Sequence, residues 1–103
     1  MSAAARTVLT ACALIAAGHG AWAQDQAAIG AGERIYDENC AACHGEKLRN
    51  PTAGADLREL GAGDRLRFDK AVAEGKGQMP SWTGVLSAEE LDQVWAYIRS
   101  RAK

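Results

Sequence analysis

Cys40, Cys43 and His44, in the run Cys40-Ala41-Ala42-Cys43-His44, are the residues of this 103-residue chain whose types and spacing point most directly to chemistry. A Cys-x-x-Cys-His run in an exported protein is an attachment sequence for c-type haem. The spacing has a chemical reason. The two thiols can add across the two vinyl groups of one porphyrin edge, and the adjoining imidazole then reaches under the ring to the iron. Three other uses of these residues compete. A thioredoxin-like dithiol belongs near a βαβ pattern, and no alternating β-branched run occurs in the chain. Structural zinc takes four Cys or His ligands, whereas beyond position 23 there are only these three. A Cys40–Cys43 disulfide would close a very short loop, stabilise little and leave His44 unexplained. Haem attachment is favoured over all three.

An iron held by His44 on one side has an open sixth position, and its occupant decides between electron transfer and small-ligand chemistry. Met79 is the candidate: it lies in a loop punctuated by Gly75, Gly77 and Pro80, and Pro80 stiffens the segment that presents the thioether. The competing reading is a Met that fills a gap in the core. Lys70 and Lys76 are the nearest amines that could ligate instead, and solvated surface charge is their ordinary role.

The first 23 residues read as a cleaved secretory leader. Arg6 supplies a positive start, Thr7 to Ala17 is a short apolar stretch, and Ala21-Trp22-Ala23 fits a small-x-small cleavage site. That stretch is shorter than the ~20 apolar residues of a membrane-spanning helix, so the mature chain, residues 24–103, is expected to be soluble and not membrane-spanning. Leu9-Thr10-Ala11-Cys12 superficially resembles a lipoprotein site, but the apolar run continues past Cys12. Without the leader one His and one Met remain, with 13 acidic against 11 basic residues. This near-neutral balance argues against a nucleic-acid partner. A chain so short buries a small core and usually needs a staple, which a covalent haem would supply.

The surrounding elements read as helices. Gln24 to Gly30 shows no periodicity and is expected to be a loose tail. From Ala31 a helix is expected to carry Ile35 and Tyr36 into the motif and to end near Gly45. Asn50-Pro51 and Gly54 mark a loop. Leu57 to Leu60 is expected to form a short turn. Asp64 to Glu74, with Leu66, Phe68, Ala71 and Val72, is expected to be a second helix stopped by Gly75 and Gly77. Ser87-Ala88-Glu89-Glu90 is a capping box, followed by Leu91, Val94, Trp95 and Ile98 on one helical face. The chain is therefore expected to be one all-α domain.

With Gly32, Ile35 and Tyr36 ahead of Cys40, Met79-Pro80 in the middle and Trp95 and Tyr97 on the terminal helix, the mature chain resembles the small bacterial class I cytochromes c over nearly its whole length. The resemblance implies the cytochrome c fold, three to four short helices around one covalent haem c. It implies thioethers from Cys40 and Cys43, axial ligation by His44 and Met79, and close packing of the first and last helices at Gly32, where the missing Cβ allows backbone approach. Many members carry Gly-Pro-x-Leu after the motif, with the Pro carbonyl accepting a hydrogen bond from the ligating imidazole. Here the comparable stretch is Gly54-Ala55-Asp56-Leu57, leaving Ala55 or Pro51 as the acceptor. Trp82 could close the crevice, bond a propionate or simply pack in the core, and Arg65 and Arg67 are either propionate partners or a solvated face.

The function implied is a soluble, periplasmic, monomeric one-electron carrier, not an enzyme, passing electrons from a dehydrogenase or membrane complex to a terminal oxidase. Leu48-Arg49-Asn50-Pro51 and Met79-Pro80-Ser81-Trp82 look similar to segments of cytochromes that serve quinoprotein alcohol dehydrogenases. Two alternatives stand beside it: a gas- or peroxide-binding haem protein with an open sixth site, and a haem subunit of a larger oxidoreductase complex.

Overall fold

The computed structural model describes residues 4, 7, 16–52 and 54–103, and for 16–24 the backbone alone. Among the described residues there are four α-helices: α1 (Ala16–Asn39), α2 (Ala41–His44), α3 (Arg65–Glu74) and α4 (Ala88–Ser100). Short 3-10 turns cover Glu46–Leu48, Leu57–Glu59 and Ala62–Asp64. Among the described residues there is no strand, only an isolated antiparallel bridge between Lys76 and Met79. The all-α expectation holds. No helix among the described residues is long and apolar enough to cross a membrane, and the expected leader, residues 1–23, falls largely outside them.

The expected loose tail is instead helix, because α1 runs unbroken through 24–30. Ala27, Ala28 and Ala31 favour helix, and Ile29, Gly32 and Tyr36 continue one face at i, i+3 and i+7. Ile29 packs against the buried cluster. That face meets α4 in a close crossing. A Cβ on Gly32 would stand 1.9 Å from the Gln93 carbonyl oxygen, so only glycine permits this approach. The chain breaks at Cys40 and makes the single turn α2, which stops at Gly45 with φ +93°.

The capping box at α4 forms as its sequence requires: Ser87 Oγ accepts from the Glu90 amide at 3.1 Å, and the Glu90 carboxylate accepts from the Ser87 amide at 2.8 Å. Val94 and Ile98 are buried as expected. Trp95, at the edge of the same face, packs on Phe68 of α3 with ring centroids 5.2 Å apart. The aromatic that meets α1 is Tyr97, 5.4 Å from Tyr36. Tyr97 is three residues beyond Val94 and shares its buried side, whereas Trp95 is turned towards α3. On α3, Phe68 and Val72 are buried but Leu66 is 82% exposed, since residues two apart on a helix cannot share a face.

Candidate cofactor cleft

The loop after the motif folds back beneath α2 because that helix leaves its last carbonyls without intrahelical donors. Cys43 O accepts from the Thr52 amide at 3.0 Å and the Gly54 amide at 3.1 Å. Ala42 O accepts from Thr52 Oγ1 at 3.1 Å. Leu48 anchors the loop. It is fully buried despite a left-handed φ of +63°, a conformation whose cost is offset by the apolar surface it removes from water. Tyr36 adds a buried hydrogen bond from its hydroxyl to Gly45 O at 2.7 Å.

This folding brings Gly54 and Ala55 to His44. Ala55 O lies 2.8 Å from His44 Nδ1, so of the two carbonyls left open by the sequence it is Ala55, not Pro51, that orients the ring. A carbonyl only accepts. Nδ1 therefore carries the proton, and Nε2 presents its lone pair. Gly54 lies against the imidazole itself: a Cβ there would sit 2.5 Å from two ring atoms.

The Met79 segment is positioned by α3 in a similar way. Lys76 and Met79 exchange both backbone hydrogen bonds at 3.0 Å around Gly77, whose φ is +59°. Beyond Pro80 the chain caps the C-terminus of α3. The Trp82 amide donates to Val72 O at 2.8 Å, while the hydroxyls of Ser81 and Thr83 both donate to Ala73 O. Gly75, at φ +80°, passes so near this segment that a Cβ would lie 2.6 Å from Met79 O.

Between these elements lies an apolar cleft of about 500 Å³. Leu91, Val94 and Ile98 of α4 line it, with Phe68, Ala71 and Val72 of α3, and Leu57 and Leu60 from the intervening segment. His44, Met79 and Cys40 line the same cleft. Cys43 is exposed and outside that lining, and both cysteines are free thiols. Burial pushes the Cys40 thiol up to about 11, so it is neutral near pH 7. Arg67, Lys70 and Lys76 also line the cleft, against one acidic residue, Glu74. Arg65 does not. Its guanidinium is held by Asp69 at 2.8 Å and Asp92 at 2.7 Å and lies over the Trp95 ring, and these carboxylates raise its pKa. Trp82 lines the cleft half-buried.

These residues fit a haem. The walls are apolar, an imidazole with a free Nε2 and a thioether share the cleft, two free thiols have the attachment spacing, and an excess of cations suits a group that carries carboxylates. Gly54 and Gly75 carry no local mark of a role in ligand placement. Their only signal was glycine beside a loop, and what each touches depends on residues distant along the chain.

Residues 27–98 match the family model described as cytochrome C oxidase, cbb3-type, subunit III. The chain is 35% identical over 77 residues to cytochrome c6 of Anabaena variabilis, covering 70% of this chain and 90% of that protein. It is 32% identical over 88 residues to the cbb3-type cytochrome c oxidase subunit CcoP of Azospirillum brasilense, covering 74% of this chain but 29% of the relative. It is also 32% identical over 76 residues to quinohemoprotein alcohol dehydrogenase ADH IIB of Pseudomonas putida, 71% of this chain and 11% of that enzyme. No solved structure matches. A helical domain with the attachment motif, a shared His and Met cleft and these relatives has one explanation: the chain belongs to the cytochrome c family, as a small class I domain.

Proposed function

We propose that this protein is a periplasmic one-electron carrier, made with a leader over residues 1–23 and working as the domain 24–103 with one haem c. Family membership implies covalently bound haem c. A single Cys-x-x-Cys-His run supports one group per chain. In this reading Cys40 and Cys43 would form the two thioethers, and His44 and Met79 would bind the iron. The observation that carries it is the presence of His44 and Met79 in one apolar cleft, each fixed by hydrogen bonds of its own segment. When bound, the haem iron supplies reversible one-electron chemistry between its ferrous and ferric states.

The chain's own residues do the rest. The Ala55 carbonyl holds the proton on His44 Nδ1 and so keeps Nε2 available as a donor. The hydrogen bonds from Ser81, Trp82 and Thr83 to the end of α3 keep the Met79 segment in place at the cleft. Leu91, Val94 and Ile98 exclude water from the cleft. Arg67, Lys70 and Lys76 offset acidic groups at its edge. Redox protein partners are expected, a quinoprotein dehydrogenase as donor and a terminal oxidase as acceptor among them, and the protein is read as a monomer that turns over no substrate.

The test is optical. Protein matured in a cytochrome c-assembling host should retain haem after acid-acetone extraction and show, when oxidised, the weak near-infrared band of iron–thioether ligation. Ready binding of carbon monoxide by the reduced wild type would favour the gas-binding reading instead. A second reading, a haem subunit within a larger oxidoreductase, has specific support in the match to CcoP over 74% of the chain. Sedimentation of the protein purified from its native membrane and periplasmic fractions separates the two: a free monomer supports the carrier, and a stable complex supports the subunit.

A further inference from the structure

Ala55, whose carbonyl orients His44, is an exposed residue in a segment without regular repeating hydrogen bonds. The next residue supplies the fixing. Asp56 caps the 3-10 turn Leu57–Glu59 by accepting from the Arg58 amide at 3.0 Å. The same carboxylate takes a two-point contact from Arg58, Nε at 3.2 Å and Nη2 at 3.2 Å, and the Lys103 ammonium at 2.9 Å. The Lys103 amide in turn donates to Arg58 O at 3.0 Å, and Arg99 Nη1 of α4 donates to Leu60 O at 2.6 Å. Residues 56–60 are thereby bound to the end of α4 and the residues after it. One exposed ion pair would contribute little. Here a turn cap, a bidentate guanidinium and backbone bonds converge on one short segment, and a hydrogen bond weakens steeply as its acceptor swings out of line.

We propose that Asp56, with Arg58 and Lys103, is a positioning device for the His44 imidazole: it holds the Ala55 carbonyl against Nδ1–H and so sets the reduction potential of the iron. The inference rests on His44 being an iron ligand, as in the proposed function. A firm acceptor at Nδ1 raises the basicity of the ligating ring, which stabilises the ferric state and lowers the potential. Loosening the device therefore raises the potential. Charge alone acts differently. Removal of the Lys103 cation would by itself favour the ferric state and lower the potential, and exchange of one carboxylate for another at position 56 would leave it unchanged.

The experiment compares midpoint potentials of the haem-loaded wild type with those of Lys103→Met, Asp56→Glu and the control Lys47→Met, which removes a nearby cation that has no part in the device. In the reduced proteins, ¹⁵N NMR follows exchange of the His44 Nδ1 proton. The potential should rise in Lys103→Met and in Asp56→Glu, whose longer side chain cannot keep the cap, and the Nδ1 proton should exchange about fivefold faster, the factor expected from weakening one hydrogen bond. It should fall slightly or stay level in Lys47→Met. A fall or no change in Lys103→Met overturns the proposal, and this variant decides the matter if Asp56→Glu does not fold. Wild-type spectra that lack histidine ligation would instead overturn the assignment of His44, an outcome distinguishable from failure of the device.

Discussion

A methyl group on Gly54 would stand 2.5 Å from the His44 imidazole. The residue that contributes no side chain thus determines where the ring can lie, with Ala55 O bonded to its edge. Gly54→Ala should push the ring off that acceptor. Overpacking of this kind costs ~1–3 kcal/mol, read as a lower urea midpoint of the haem-loaded protein, and the optical spectrum should lose its histidine-ligated form in part of the population. Unchanged stability and spectrum would show that the loop yields without cost.

Gly30 and Gly32 make a matched pair on α1. Nothing lies within 4 Å of a Cβ at Gly30, whereas at Gly32 it meets the Gln93 backbone. Gly30→Ala should stabilise by ~0.5–1 kcal/mol through helix propensity. Gly32→Ala should destabilise by more than that, since α1 and α4 must move apart. Chemical denaturation of both variants checks the opposite signs.

Gly75 and Met79 are expected to fail together. A side chain at Gly75 requires a left-handed φ of +80° and crowds the Met79 carbonyl, so Gly75→Ala should weaken or abolish the near-infrared thioether band without touching the sulfur. Met79→Ala should remove the band, lower the potential and admit imidazole. Retention of the band in Gly75→Ala would show that the turn adapts.

Acid should release the Asp56 contacts. Hydrogen bonds from Arg58 and Lys103 hold this carboxyl well below the usual carboxylate range. A depressed folded pKa means that the stabilisation is complete above the unfolded value near ~3.9 and is lost as pH falls through the folded one. Asp56→Asn should accordingly flatten the acid limb of a stability-versus-pH curve, with little change in its shape near neutral pH. An acid limb equal to that of the wild type would assign acid sensitivity to other carboxylates.

Much of this protein was legible in short-range pattern. The thiol and imidazole spacing at Cys40–His44 named the cofactor chemistry, because attachment needs only neighbouring residues. The Ser87 cap and the stripe that follows defined α4, because helix periodicity is local. The close crossing at Gly32 followed from the family resemblance, not from local pattern, and the contact with Gln93 bears it out. Other features depended on which distant residues meet. Ile29 extended the first helix into the expected tail because it finds apolar partners in the folded core. Trp95 turned to Phe68 while Tyr97 buried against Tyr36, a choice made by the arrangement of α1 and α3 around α4. The carbonyl that orients His44, the glycine against its ring and the ties from Asp56 to Lys103 join residues that no local periodicity relates. They emerge only when the chain closes, because a hydrogen bond or a close contact is decided by distances in space of a few ångströms, whatever the separation along the sequence.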